Sequence, residues 1–241
     1  MVDVTPQQNG PGISVRPPMA EFAATVALMG LGLLVLSSTV LSTPLWSIMA
    51  FGICVGLVSV GLRGGYPHTV FGLCNTVTLG RAALLSVLFG ALFEVNAVSA
   101  WVVFWLALVI LALDGVDGWL ARRSRLKSAF GARFDMETDA ALGALLALWL
   151  LISGKTGAEI LVLGFMRYGF VLAGMFWPAL RADLPESMRR KTICVVQIAA
   201  LIALVFPLLP AGLVTPIAVA AAAVLAMSFA VDTIWLVRHR K

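Results

Sequence analysis

Charge is what this chain has least of. Only 12% of its 241 residues are Asp, Glu, Lys or Arg, where a soluble domain carries about 25%. With 61% hydrophobic residues and a mean hydropathy of +1.00, that shortage excludes an ordinary soluble fold. Histidine is nearly missing as well: His68 falls in a loop and His239 in a basic tail, and neither is read as a ligand or a base. The three cysteines, Cys54, Cys74 and Cys194, are odd in number, share no metal-ligand spacing and lie in or beside apolar runs, so they read as small hydrophobes and not as a disulfide framework. The strands and turns of a barrel are nowhere visible, which leaves helices as the structure that satisfies a backbone inside lipid. Internal repeats and linkers between soluble domains are also lacking.

What is present is a series of apolar runs, each near the 20 or so residues that span a hydrocarbon core. Residues 1–18 form a polar tail with four prolines. Runs at about 20–37 and 45–62 follow; the first is too long for a signal peptide and a second comes almost at once, so an uncleaved helix is expected. Further spans are expected at about 75–92, 97–113, 130–152, 157–179, 192–209 and 213–237. The fold expected is an all-α integral membrane protein of about eight spans.

The net charge of +5 is spread between these helices, which speaks for membrane topology and against a nucleic-acid partner. Arg16, Arg63, the run from Arg122 to Arg133, the cluster Arg181–Lys191 and the last four residues fall on one side of an eight-span arrangement; Lys155, Glu94 and Glu159 fall on the other. Positive residues gather on the cytoplasmic face, so both termini are expected there, in the inner membrane if the source is bacterial.

Against this apolar background residues 114–139 read DGVDGWLARRSRLKSAFGARFDMETD. Asp114 and Asp117 are three apart, and Asp135 and Asp139 four apart. Both spacings put side chains on one helix face, so the stretch predicts two carboxylate pairs on adjoining helices joined by a basic turn. Such pairs repel unless cations lie between them, and a cage of hard oxygens suits Mg²⁺ or Mn²⁺. Solvated helix ends paired with the nearby arginines are the plainer alternative. Gly118, Ala121 and Gly131 keep the cavity face small, allowing a phosphate ligand or the facing helix to come close.

The residues Asp114, Asp117, Gly118, Ala121, Arg122, Gly131, Asp135 and Asp139 reproduce the pattern D-x-x-D-G-x-x-A-R-x8-G-x3-D-x3-D, and the chain thereby resembles the CDP-alcohol phosphotransferases (CDP-alcohol phosphatidyltransferases). Asn75, Thr78 and Arg81 resemble the N-x-x-T-x-x-R that opens that family's first core helix. The resemblance implies a six-helix catalytic membrane domain over about 73–237, preceded by two additional helices over 19–65 and followed by the basic tail 238–241. It implies transfer of a substituted phosphate from a CDP-linked lipid such as CDP-diacylglycerol to the hydroxyl of an acceptor alcohol, with release of CMP, in phospholipid synthesis. Asp114, Asp117 and Asp135 would hold a divalent metal, two ions of Mg²⁺ or Mn²⁺, and Asp139 would be the general base and touch metal too. Gly118, Ala121, Arg122 and Gly131 would line the CDP site, with Asn75, Thr78 and Arg81 at its nucleotide end. A homodimer is implied by the resemblance alone.

The acceptor is less legible. Arg181, Arg189, Arg190 and Lys191 could bind a phosphorylated acceptor of the glycerol phosphate or inositol phosphate type, and positive-inside topology explains the same residues. Arg167 stands within a span, where an arginine is a functional candidate by default. Arg133 and Glu137 point away from Asp135, and Asp232 is placed to neutralise the terminal basic cluster. Two other classes use similar parts. An intramembrane prenyltransferase holds a diphosphate with Asp-bound Mg²⁺, but its two motifs lie far apart in the chain. A cation transporter needs polar residues at mid-membrane depth on several helices, and this chain has almost none.

Overall fold

A computed structural model of the protein describes residues 18–64, 66–124, 126, 128–177 and 188–238. Eight α-helices and no strand occur among the described residues: α1 (Met19–Val40), α2 (Leu45–Arg63), α3 (Leu73–Ala91), α4 (Ala100–Arg123), α5 (Ala129–Ile152), α6 (Ile160–Phe176), α7 (Met188–Val205) and α8 (Ala211–Arg238). Five are long and apolar enough to cross a membrane: α1, α2, α3 with its 3-10 extension to Glu94, α4 and α8. α6 is apolar but has only 17 residues. α5 carries three acids in its first half, and α7 opens on Arg189, Arg190 and Lys191. The protein is therefore an all-α, multi-pass membrane protein.

Helix limits shift from the expected ones where proline acts. A residue before proline is pushed out of the α region, and α6 and α7 accordingly stop ahead of Trp177-Pro178 and Phe206-Pro207. At its other end α7 is already helical at Met188, about a turn ahead of the expected start, and there Arg189 hydrogen-bonds Ser228 Oγ (2.8 Å), the Ser228 carbonyl (3.0 Å) and Asp232 of α8. Asp232 thus serves α7; residues 239–241 of the terminal cluster it was expected to neutralise lie outside the described residues.

α3 is the central helix. It packs against α1, α2, α4 and α5, and 61% of its most apolar 18-residue window is buried, against 11% for α1. The α1–α2 pair is held to it at both ends by carboxylates: Glu21 accepts from the Phe71 N–H (2.8 Å), and Glu94 from the N–H groups of Ser42 and Thr43 (2.7 Å each). On the other flank α5 and α6 touch at glycine. A Cβ on Gly164 would lie 2.5 Å from Ala147 Cβ and 3.1 Å from the Gly143 carbonyl, the close approach that small residues permit between membrane helices. Large apolar side chains such as Leu28, Leu57, Val60, Met175 and Phe176 point outward, as lipid-facing surfaces require.

Candidate active site

Asn75, Thr78 and Arg81 recur every three residues along α3, share one face and are all buried. The helix starts where it does because Gly72 has φ +80° and Leu126 Cδ1 lies 2.7 Å from where a Cβ would be; glycine meets both demands. Asn75 Nδ2 donates to Tyr66 Oη (2.8 Å) and to the Phe71 carbonyl (2.6 Å). Burial pushes the Tyr66 phenol above its ordinary range, so it stays neutral and donates onward to the Val70 and Phe71 carbonyls. These bonds leave Asn75 Oδ1 facing Gly131, where a Cβ would come within 3.0 Å of it. Tyr66 was not foreseen as a site residue. Its only signal is a lone tyrosine in the glycine- and proline-broken link before α3.

α4 delivers its aspartates from its last three turns and α5 from its first three. Arg122 and Arg123 close α4, suiting the negative end of the helix dipole. Ser128 caps α5, its Oγ accepting from Gly131 N–H at 2.9 Å, which satisfies a free donor of the first turn. The expected one-face spacings hold, and the two pairs converge on a single cation. Arg81, with no exposed surface, reaches all four carboxylates: Nη1 contacts Asp117 Oδ2 (2.7 Å) and Asp135 Oδ1 (2.6 Å), and Nη2 contacts Asp114 Oδ1 (2.9 Å) and Asp139 Oδ1. Arg81 was expected at the nucleotide end of a donor site; it lies instead beneath the aspartates as their shared counter-charge. Thr78 Oγ1 donates to the same Asp117 oxygen at 3.0 Å.

The four acids are not equivalent. Asp117 is sealed, with 4% of its side chain exposed, while Asp114, Asp135 and Asp139 are 33%, 40% and 46% exposed. One guanidinium faces four carboxylates, so the cluster carries excess negative charge, and Asp117 Oδ1 is buried without a hydrogen-bond partner. Oxygen atoms of Asp114, Asp135 and Asp139 lie within 4.8 Å of one another. Hard oxygens, uncompensated charge and an orphaned carboxylate oxygen fit a divalent cation.

Two cavities meet this cluster. One, of about 290 Å³, is lined by Asn75, Thr78, Asp117, Gly118, Ala121, Arg122, Gly131 and Asp135. Gly118 faces it with only Arg122 Nη1 within 4 Å of a would-be Cβ. The other, of about 410 Å³, has Asp114, Asp139, Arg167, Arg190 and Asp232 in its wall. The sequence model of the CDP-alcohol phosphatidyltransferase family matches residues 71–232, the whole of α3 to α7 and most of α8.

The chain belongs to the CDP-alcohol phosphatidyltransferase family. Comparison with curated proteins and with solved structures returned no match. The family's domain begins just before α3, so α1 and α2 lie outside it. Every aspartate and glycine of the family pattern meets one of the two cavities, as do Asn75, Thr78, Ala121 and Arg122. The basic residues expected on the acceptor side divide. Arg167 and Arg190 line the second cavity, whereas the Arg189 fork is taken up by Ser228 and Asp232. Arg181 and the Lys191 side chain lie outside the described residues. Glu137 does point away from the aspartates, and accepts from Arg167 Nη2 at 2.5 Å.

Proposed function

We propose that this transferase moves a phosphatidyl group from CDP-diacylglycerol to a phosphorylated acceptor alcohol and releases CMP. One observation carries the reading: the aspartate cluster lies between two cavities, with the family's donor-side residues around one and Asp139 with two arginines around the other. The smaller cavity is the donor's. Asn75 Oδ1, held by the Tyr66 network, is placed to accept from the amino group of a cytosine, while Arg122 faces the diphosphate. Missing Cβ atoms at Gly118 and Gly131 leave room for it.

Asp114, Asp117 and Asp135 would hold the divalent metal, with Asp139 at its edge. When bound, a pair of Mg²⁺ or Mn²⁺ ions supplies charge neutralisation on the diphosphate and polarisation of the attacked phosphorus. Arg81 keeps the four carboxylates gathered. Asp139 takes the proton of the acceptor hydroxyl as its oxygen forms the new P–O bond. The P–O bond to CMP breaks, its electron pair leaves on the CMP phosphate, and Asp139 passes the proton to water. A neutral alcohol attacks poorly, and a positioned base contributes roughly 10² to 10⁴ in rate. On the acceptor side Arg190 suits a phosphate, whose oxygens a guanidinium matches in pairs, while Arg167, held by Glu137, adds positive charge to the same wall; glycerol phosphate and inositol phosphate have the right chemistry.

Eight spans, six in the family's core and two before it, with the site facing the cytoplasm, complete the reading. It rests on the charge distribution and on the helix count, and a nucleotide head in water with lipid tails in the bilayer suits a site at that interface. The test is CMP release by purified protein given CDP-diacylglycerol, Mg²⁺ and a panel of acceptors. A phosphorylated alcohol should release CMP where its unphosphorylated parent does not, and chelation of the metal should stop it. Equal release with both alcohols would remove the phosphate from the proposal.

A further inference from the structure

The two helices that precede the family's domain are tied to α3 at opposite ends by the same device, a carboxylate that accepts backbone N–H groups. Glu94, in the 3-10 turn after α3, holds Ser42 and Thr43 between α1 and α2. Glu21 of α1 holds the N–H of Phe71, the first residue of the matched range 71–232. Neither Glu94 nor its partners line a cavity at the aspartates, whereas the Glu21 end leads into the smaller one.

The path runs through Phe71, which is buried. Its N–H lies 2.8 Å from Glu21 Oε2, and its ring packs on Phe22, the next residue of α1, with centroids 5.4 Å apart. With amide and ring both held from α1, the third bond at Cα, to the carbonyl carbon, follows. That carbonyl accepts from Asn75 Nδ2 at 2.6 Å and from Tyr66 Oη at 3.1 Å, and Tyr66 Oη itself accepts from Asn75 Nδ2 at 2.8 Å. A hydroxyl donates or accepts, but a carbonyl only accepts. The Phe71 oxygen therefore decides which end of the Asn75 amide turns inward: the NH2 group stays with Phe71, and Oδ1 faces Gly131 across the cavity wall.

An acceptor at that place distinguishes bases. Cytosine carries an amino group where uracil carries a carbonyl oxygen, so Oδ1 pairs with the first and meets the lone pairs of the second. A buried polar group left unpaired is what lets a site reject a near-identical ligand. α1 lines no part of the cavity and yet sets this choice.

We propose that Glu21 is a positioning residue for the nucleotide: by holding Phe71 from outside the family's domain, α1 keeps Asn75 selective for cytosine. The proposal rests on the reading of the smaller cavity as the donor's. The experiment is calorimetric binding of CMP and of UMP, with Mg²⁺, to the full chain in detergent. Wild type should bind CMP roughly tenfold more tightly than UMP, and Glu21→Ala should bring that ratio close to one, the size expected of one lost polar contact. Glu21→Gln keeps an oxygen for the Phe71 N–H and should restore most of the ratio. Glu21→Asp, one methylene short, should fold and show a smaller loss of the same kind, so the test does not hang on the stability of the alanine variant. Glu94→Ala frees the same helix pair at its other end; it should lower the melting temperature and leave the ratio unchanged, because the ratio does not depend on how much of the protein is folded. A wild-type ratio in Glu21→Ala or Glu21→Asp, or an equal loss in Glu94→Ala, would overturn the proposal and leave the donor reading standing. Wild type that binds neither nucleotide, or both alike, would remove cytosine from the donor cavity and the proposal with it.

Discussion

Arg81 gathers four carboxylates with one guanidinium, and its substitution should be felt twice. Arg81→Met leaves Asp117 buried against Thr78 alone, and breaking a buried ion pair from one side costs about 3–5 kcal/mol. The melting temperature in detergent should fall sharply, and Mg²⁺ should recover part of the loss, because a ligand that binds only the folded state stabilises it. An unchanged melting temperature would show that the carboxylates do not depend on Arg81. Gly131 acts differently. A methyl there lies 3.0 Å from Asn75 Oδ1 in the wall of the smaller cavity; if that cavity takes the donor as proposed, Gly131→Ala should raise KM for the CDP donor roughly tenfold with kcat little changed, the mark of lost uniform binding. A fall in kcat at constant KM would place Gly131 nearer the reacting phosphorus than the cavity suggests.

Among the elements, α5 and α6 are joined by a contact that a single methyl would break. Gly164→Ala drives a Cβ onto Ala147 and against the backbone of Gly143 and Ala144, and overpacking of this kind costs about 1–3 kcal/mol. Gly169, on the same helix, has nothing within 4 Å of a would-be Cβ. Gly169→Ala should be neutral or slightly stabilising in thermal unfolding, since alanine favours a helix over glycine. If both variants melted alike, the α5–α6 approach would not be the cause.

The elements also show what was legible in the sequence. The aspartate spacings named both faces of the site, because a helical period is all that such a reading needs. The helix ends were missed where a later residue decides them: Pro178 and Pro207 shorten α6 and α7, and the first turn of α7 is held by Asp232, more than forty residues on. Arg81 was placed at the nucleotide for a related reason. Its motif gives the face it shares with Asn75 and Thr78, but six residues along a helix is about 9 Å, far enough to carry Arg81 from Asn75's end of the cavity to a place behind the carboxylates that line it. Glu137 was rightly left out of the cage, but nothing in the chain's pattern pairs it with Arg167 of the next helix.

The molecule as a whole places one acidic cluster between two cavities of about 290 and 410 Å³. This arrangement gives the four aspartates different surroundings. Asp117 is sealed with Arg81 and Thr78 at the wall of the smaller cavity, Asp135 faces that cavity, and Asp114 and Asp139 face the larger one. The central claim is that Asp139 takes the proton. Its most direct test is CMP release in a single turnover from CDP-diacylglycerol, Mg²⁺ and acceptor, with wild type and Asp139→Asn compared after both have been shown to bind CDP-diacylglycerol. The account predicts a rate lower by roughly 10² to 10⁴ with donor binding retained. Equal rates would contradict it, and would move the base to another carboxylate of the cluster.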